Sequence, residues 1–287
     1  MTTRVERHGG PGPDDEGYAQ DLGEGLAETI ALLEQSPRML DSALSEAMTY
    51  LNACLAVDPD AATLRTWEAT VTAMQVTCAA FAAAGRTEGS IEVRLPDRML
   101  TIPATGPQYY ANAGNWLAAF WLAIVCREQA QMTRLCEFPV DALRASGGEY
   151  DEFVYRWIDA LQSYWLERPG LGEKLVSAIE ASSPEVARIA DREVLDKILY
   201  QPIGLFHQFL RKDHQGFNQA LQEALVLHRD FWTATEPRER SVDGYLALGP
   251  LAITCLAHDA GFPIDVESPY MPSQLLNRAW LGEFPTS

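Results

Sequence analysis

Three histidines in one part of the chain are the first residues whose type and spacing suggest chemistry. They are His207, His214 and His228. The first two are seven positions apart, which places them on one face of a continuous helix. A metal site there would need further ligands at fixed spacing, and Glu223 and Asp230 are the nearest candidates. However, the sequence KDHQG at residues 212–216 is typical of a break between helices. We therefore expect these histidines to face solvent or to be satisfied in the core.

A second candidate is the pair His258 and Asp259, which ends a predicted helix in the sequence LAHDAG. An imidazole at this position can donate to the last carbonyl groups of the helix or to a carboxylate, and Gly261 can supply a left-handed cap. Structural capping is one interpretation. The other is that His258 lies in the pocket of a helical enzyme or small-molecule-binding protein.

Aromatic and acidic side chains crowd a helix predicted over residues 150–169. Helical spacing divides them between two sides. The first side contains Phe153, Trp157, Leu161 and Trp165. The second side contains Asp151, Tyr155, Asp159 and Gln162. We expect the first side to be core. The second is either a solvated face or a protein-binding surface, because aromatic anchors within an anionic rim suit a cationic target.

The sequence lacks the motifs of the common enzyme classes. It contains no GxSxG nucleophile elbow, no GxxxxGK[ST] phosphate loop and no HExxH metal helix. The five cysteines are scattered without a CxxC pair, which is typical of reduced, mostly buried thiols in a cytosolic protein. We therefore expect no catalytic residue, no cofactor and no metal.

The net charge is −18, from 22 basic and 40 acidic side chains. A protein this acidic repels phosphate groups, so direct binding of nucleic acid is not expected. The same charge keeps the protein soluble and accelerates its encounter with a basic protein. It therefore indicates either a solubility device or a cationic protein partner.

Neither a membrane span nor a secretion signal is recognisable in the sequence. No run approaches the roughly 18 consecutive apolar residues of a membrane helix. The start, MTTRVERHGGPGPDDEG, has no apolar core. We therefore expect a cytoplasmic protein that does not contact a membrane. The glycines, prolines and acids of residues 1–20 predict a flexible acidic tail.

From Asp21 onward, apolar residues recur at helical spacing and prolines separate the segments. This pattern predicts an all-α fold, an irregular array of about ten helices. Residues 90–103 are the exception, because apolar and polar side chains alternate on both sides of an LPDR turn and predict one short β-hairpin. We expect a single domain over residues 21–287, with possible sub-bundles at 21–89 and 104–287 joined by the hairpin.

Near the C-terminus, three prolines make the segment FPIDVESPYMP extended rather than helical. An extended segment needs a surface to lie on. The side chains expected to pin it to the helices are Ile264, Val266, Tyr270 and Met271. Asp265 and Glu267 are expected to face outward.

Four long segments carry a resemblance to a known family. They are GPQYYANAGNWLAAFWLAIVCR, YDEFVYRWIDALQSYWLERPGL, LRKDHQGFNQAL and LGPLAITCLAHDAGFPIDVESPYMP. Together they look like the immunity protein 49 family of bacterial polymorphic-toxin systems. The resemblance implies a cytoplasmic, mostly α-helical protein that binds and neutralises a cognate toxin, without catalysis or a cofactor.

The residues that we expect to bind this partner are polar and aromatic members of the matching segments. They are Tyr109, Asp151, Tyr155, Asp159, Tyr164, His258, Asp259, Asp265, Glu267 and Tyr270. All of them could equally be hydrogen-bonding residues that maintain the fold. If they bind, the carboxylates of residues 149–167 and 259–267 matter more than those of the tail.

The preferred hypothesis is therefore an immunity protein that covers the active site of a cationic toxin by stoichiometric occlusion. The acidic charge favours a basic nuclease as that toxin. One alternative is a helical enzyme or small-molecule binder with a pocket near His258. The other is a helical scaffold protein with a different protein partner.

Overall fold

A computed structural model of the chain describes residues 2–96, 98–283 and 286, and helices dominate it. The first eight helices are α1 (Asp15–Ala31), α2 (Leu40–Val57), α3 (Leu64–Ala84), α4 (Ala113–Val125), α5 (Gln129–Glu137), α6 (Val140–Ala145), α7 (Glu152–Trp165) and α8 (Leu171–Ala181). The remaining ones are α9 (Arg192–Val194), α10 (Gln201–Leu210), α11 (His214–Trp232), α12 (Glu236–Glu239), α13 (Leu248–Asp259) and α14 (Ser273–Leu276). The predicted all-α fold is confirmed.

Two helices, α3 and α4, occupy the centre of the fold and are buried on nearly every side. Small residues such as Ala69, Ala73 and Ala80 of α3 are fully buried and let its neighbours approach closely. Helix α3 contacts α2, α4 and α5, while α4 also contacts α13. Buried side chains from both predicted sub-bundles belong to one hydrophobic cluster. The division at the hairpin stays a prediction.

The predicted hairpin is present as β2 (Ser90–Leu95) and β3 (Arg98–Pro103). The strands pair antiparallel, with Ile91 opposite Ile102 and Val93 opposite Leu100. Ile91, Leu100 and Ile102 are buried, and β2 packs on α3. The predicted hairpin at 90–103 is therefore confirmed, and its apolar residues alternate with polar ones because helices cover one face of this ribbon.

The N-terminal segment differs from the flexible tail predicted for residues 1–20. Strand β1 (Thr3–Arg4) pairs in parallel with β4 (Val266–Glu267), and the backbone N–H of Val5 donates to the carbonyl of Glu267 at 2.9 Å. Val5 and His8 are buried. Helix α1 begins at Asp15, six residues before the predicted start of helical pattern at Asp21. Backbone hydrogen bonds to a distant strand hold this segment in place. The low apolar content of the segment therefore does not indicate that it is ordered.

Several local predictions in the C-terminal half are confirmed. Pro202 interrupts a helical pattern and so predicts a kinked or split helix; a five-residue π-helical stretch, Leu195–Leu199, indeed precedes α10, whose second residue is Pro202. Helices α10 and α11 are separate, as the KDHQG sequence indicates, so His207 and His214 do not share a helix. In the extended segment, Val266, Tyr270 and Met271 are buried while Asp265 and Glu267 are exposed. Across the described ranges, no helix is both long and apolar enough to cross a membrane.

Candidate partner-binding surface

The side of α7 that was predicted to be solvated or partner-binding is enclosed by the fold, with Asp151 6% and Tyr155 5% exposed. The Asp151 carboxylate accepts hydrogen bonds from the backbone N–H groups of Arg188 at 2.6 Å, Ile189 at 3.0 Å and Ala190 at 2.7 Å. Burial alone would raise the pKa of Asp151, but these three donors outweigh it and lower the pKa. Asp151 therefore anchors the loop that follows α8.

The other aromatic and acidic groups at the start of α7 are also engaged. The Tyr155 hydroxyl donates to the carbonyl of Gly148 at 3.2 Å, and the guanidinium carbon of Arg144 lies 4.1 Å from the centre of the Tyr155 ring. Arg144 also donates to both carboxylate oxygens of Glu152 at 2.8 Å. This ion pair lowers the pKa of Glu152. The charge of Glu152 is thus neutralised within the fold.

Further along α7, Asp159 and Tyr164 are half-buried. The ammonium group of Lys174 donates to Asp159 at 2.8 Å and to the hydroxyl of Ser163 at 2.9 Å, which ties α8 to α7. The Tyr164 ring packs edge-on against Phe206 of α10, with 5.1 Å between ring centres. Burial raises the pKa of Tyr164. Both predicted binding residues therefore make contacts between helices.

Tyr270 lies at the centre of a buried polar cluster that sequence reasoning did not find. It is fully buried, and its hydroxyl lies 2.6 Å from Nδ1 of His8 and accepts from the His8 backbone N–H at 3.0 Å. The ring of His228 packs against Tyr270, and its Nε2 lies 2.9 Å from the carbonyl of Gly244. Burial lowers the pKa of His228 to about 4 and raises that of Tyr270 to about 12. The expectation that His228 is satisfied in the core is confirmed.

His258 lines an open cleft of about 690 Å³ between the end of α13 and the extended segment. Its other polar lining residues include Arg4, Asp60, Glu267 and Ser273. Glu267 is exposed at this cleft and Asp265 is exposed on the same segment. The cleft therefore brings together His258 and Glu267 from the predicted set, beside Asp60, which sequence reasoning did not select.

Asp259, next to His258, is held by two arginines. Arg127 donates to its two carboxylate oxygens at 3.1 and 3.3 Å, and Nε of Arg278 lies 3.5 Å from it. Arg127 also donates to the carbonyls of Leu275 and Leu276, so it joins the end of α13 to α14. Burial opposes ionisation of Asp259, but the contacts with Arg127 prevail and lower its pKa.

The capping interpretation of this helix end agrees with the backbone. Gly261 has a left-handed φ of +83°, and its N–H donates to the carbonyl of His258 at 3.0 Å. The Nδ1 atom of His258 lies 3.4 Å from Asp259.

Within the described part of the chain, no group of three or more His, Cys, Asp or Glu residues is placed to hold a metal ion.

Tyr109 is 62% exposed. Its hydroxyl donates to the carboxylate of Asp41 in α2, and this hydrogen bond raises the pKa of Tyr109. It does not line the cleft beside His258. The predicted residues therefore separate into three groups: buried or half-buried side chains, the ion-paired Asp159 and Asp259, and exposed side chains that form no ion pair among the described residues. The last group is Tyr109, Asp265 and Glu267.

Helix α1 carries an acidic surface that is not among the predicted binding residues. Its 17 residues contain five carboxylates and no lysine or arginine. Glu16 pairs with Arg65 at 2.6 Å. Among the described residues, no cation lies within ion-pair distance of Asp21, Glu24 or Glu28. The excess of acidic over basic residues in this helix was visible in the sequence of residues 15–31.

Comparison with known proteins gives one match. The family model described as immunity protein 49 matches residues 58–275, which is most of the chain. No curated protein and no solved structure matches this chain. The matched range contains α3 to α13 and the hairpin, whereas α1 and α2 lie before it. The resemblance in the four sequence segments is thereby confirmed, and the chain belongs to the immunity protein 49 family.

Proposed function

We propose that this protein protects a bacterial cell by binding a cognate toxin in the cytoplasm and occluding it stoichiometrically. The observation that carries the proposal is the family match over residues 58–275. An immunity-protein family implies a non-enzymatic role and a toxin as partner. The charge of −18 supports a cationic toxin, because opposite charges accelerate encounter and disfavour wrong partners.

A basic nuclease is the toxin class that this charge suits best. Such an enzyme has a cleft that attracts phosphate groups, and exposed carboxylates can occupy the same cleft in place of nucleic acid. In the cleft next to His258, the carboxylates available for this role are Asp60 and Glu267, with Asp265 on the adjoining segment. The carboxylates of α7 contribute less, since arginine, lysine or backbone N–H groups already bind them.

The test is co-expression with the toxin encoded by a neighbouring gene. Wild-type protein should restore growth and co-purify with the toxin at a one-to-one ratio. A chain that neither rescues growth nor co-purifies would exclude this pairing. Association measured by stopped flow should slow at least about tenfold between 10 and 150 mM salt, where the screening length falls from about 30 to about 8 Å.

One substitution separates occlusion from the hypothesis of an enzyme that uses His258. His258→Asn keeps a polar, half-buried side chain and removes the imidazole. Occlusion predicts full protection by this variant, because no proton transfer is needed. Loss of protection with unchanged toxin affinity would instead favour catalysis at the cleft.

A further inference from the structure

A second groove lies between α1, α3 and the hairpin, and its lining is mainly apolar but also contains Glu68, Arg94 and Arg98. It has a volume of about 440 Å³. Leu26 and Ile30 of α1 form one wall, Trp67 and Val71 of α3 form the floor, and Leu95 of β2 contributes to the opposite wall. This size and lining are sufficient to receive a few apolar side chains of another molecule.

Two hydrogen-bond donors belong to residues that line the groove and have no acceptor in the part of the chain that the structure describes. Trp67 is 4% exposed, and its indole Nε1 is buried without an acceptor among the described residues. The Nε atom of Arg94 in β2 is also buried without an acceptor among the described residues, and Arg94 lines the same groove. Buried donors in folded proteins are normally paired, because an unpaired donor costs about 1–3 kcal/mol. The groove therefore offers two donors to a ligand that supplies oxygen acceptors.

The rim of the groove carries opposite charges on its two sides. Helical spacing places Glu24 and Glu28 in one row with Ala31, which lines the groove, so the outer edge of α1 is anionic. Arg98 lies on the hairpin side. The ligand must therefore present cations towards α1 and acceptors towards the hairpin.

We propose that this groove docks a basic amphipathic segment of the toxin. Apolar side chains of the segment pack on Leu26, Ile30 and Trp67, and its backbone carbonyls accept from Trp67 and Arg94. Its lysines or arginines lie beside Glu24 and Glu28. The inference rests on the proposed function, because that function supplies a cationic protein partner, and it adds the contact surface and the chemistry of the contacting segment.

The position of the groove relative to the family match indicates what it does. The floor and the hairpin wall lie within the matched residues 58–275, whereas α1, with its unpaired carboxylates, lies before them. The anionic wall is thus a feature of this chain outside the part that matches the family model. We expect it to determine which toxin this chain recognises.

The test uses two variants and one matched control in the full chain. Ala27→Trp fills the groove without a change in charge, since Ala27 is exposed and lines it. Glu24→Gln with Glu28→Gln removes two charges from the rim. Glu173→Gln with Glu180→Gln removes two charges from exposed positions of α8 and serves as the control. The probe is the toxin encoded by the neighbouring gene, inactivated for binding measurements.

We expect Ala27→Trp to weaken the Kd by about tenfold or more, since blocking a central apolar contact removes a hot spot. The Glu24 and Glu28 double variant should associate about fivefold more slowly at low salt, and the α8 control should stay within about twofold of wild type. If Ala27→Trp binds as wild type does, the groove is not the docking site, although rescue by wild type still supports the proposed function. If only the charge variant weakens binding, the contact is electrostatic and the groove is again excluded. A wild-type chain that neither binds nor rescues removes both proposals.

A spectroscopic measurement keeps the test independent of the folding of Ala27→Trp. The chain has seven tryptophans, and the indole N–H signal of Trp67 can be assigned from its loss in Trp67→Phe. Addition of the toxin should move this signal downfield, as expected when a free N–H gains an acceptor. An unmoved Trp67 signal in a saturated complex would overturn the inference whatever the variants do.

Discussion

Carboxylates lie on helix α1 and on α7 with its N-cap Asp151, but the fold treats their charges in opposite ways. At α7, Asp151 binds backbone N–H groups, Glu152 pairs with Arg144 and Asp159 pairs with Lys174. At α1, Glu16 alone forms an ion pair among the described residues. The difference comes from the neighbouring helices. Helix α2, which packs on α1, contains no lysine or arginine, whereas α6 and α8 supply cations to α7.

This contrast shows that acidic composition does not by itself locate an interaction surface. A carboxylate whose charge and hydrogen bonds are already satisfied contributes little to a new partner, and exposed, unpaired charges are the ones that steer association. The aromatic residues of α7 made it the more conspicuous candidate in the sequence. Of these two helices, α1 is the one that carries free charge, and it lies next to a groove whose lining includes two donors without an acceptor among the described residues.

The largest expected effect is the loss of the Asp151 anchor. Asp151→Ala leaves three backbone N–H groups without an acceptor and should lower the free energy of unfolding by about 4 kcal/mol in urea titrations at pH 7. The matched change on α1, Glu28→Ala, should stay within about 0.5 kcal/mol. Equal losses in the two variants would erase the contrast between the helices.

The Asp151 effect also has a defined pH dependence. Because the folded state lowers the pKa of Asp151, its contribution is fully present above the ordinary pKa of an aspartate and is lost as the pH falls through the folded value. The difference between wild type and Asp151→Ala should therefore shrink only in strong acid. A difference that already disappears at pH 6 would contradict this assignment.

A second prediction concerns the buried histidine of the satisfied region. The pKa of His228 is about 4 when folded and near 6.5 when unfolded. Between these values the unfolded state binds a proton that the folded state does not, so stability falls by about 3 kcal/mol as the pH drops from 6.5 to 4. In His228→Gln this decline should be smaller by about that amount, as measured by urea titration at each pH.

A second buried imidazole, that of His8, contributes to the same pH profile. His8 has a pKa that is lowered in the same direction by burial and by Arg7, so a smaller decline should remain in His228→Gln. If His228→Gln declined as steeply as wild type, proton uptake at His228 would not cause the loss.

The smallest expected effect compares two tryptophans. Trp116 is fully buried and its Nε1 donates to the carbonyl of Leu135 at 2.8 Å, whereas Nε1 of Trp67 has no acceptor among the described residues. Trp116→Phe should cost about 2 kcal/mol, because it removes both volume and a hydrogen bond. Trp67→Phe should cost less than about 1 kcal/mol, since it also removes an unpaired donor. Equal costs would mean that Trp67 has a partner in solution.

The sequence was sufficient where local pattern determines structure. The hairpin at 90–103, the extended segment near residue 266 and the break at residues 212–216 follow from alternation, prolines and turn residues. The fold class and family followed from the same patterns and from long matching segments. The hairpin, the extended segment and the helix break each depend on residues within a few positions of each other.

The errors arose where the partner is distant in the chain. Tyr270 and His8 are 262 residues apart, and nothing near His8 indicates that a phenol will bind it. The same holds for Asp151, whose three donors lie in a loop 37 to 39 residues away. A carboxylate on a helix looks solvated in the sequence unless the element that covers it is known. Candidate binding residues were therefore chosen by type, although their availability depends on tertiary packing.

The pairing of β1 with β4 has a consequence for how the protein is made. A ribosome that adds 5–20 residues per second needs about 15 to 50 s to pass from Thr3 to Val266, so the first strand emerges long before its partner exists. During that interval the N-terminal segment lacks the backbone hydrogen bonds that β4 provides, while α1 to α3 can already pack on one another. The β1–β4 contact is therefore among the last to form. The hydrogen bond between the His8 backbone N–H and the Tyr270 hydroxyl likewise can form only after residue 270 has been translated.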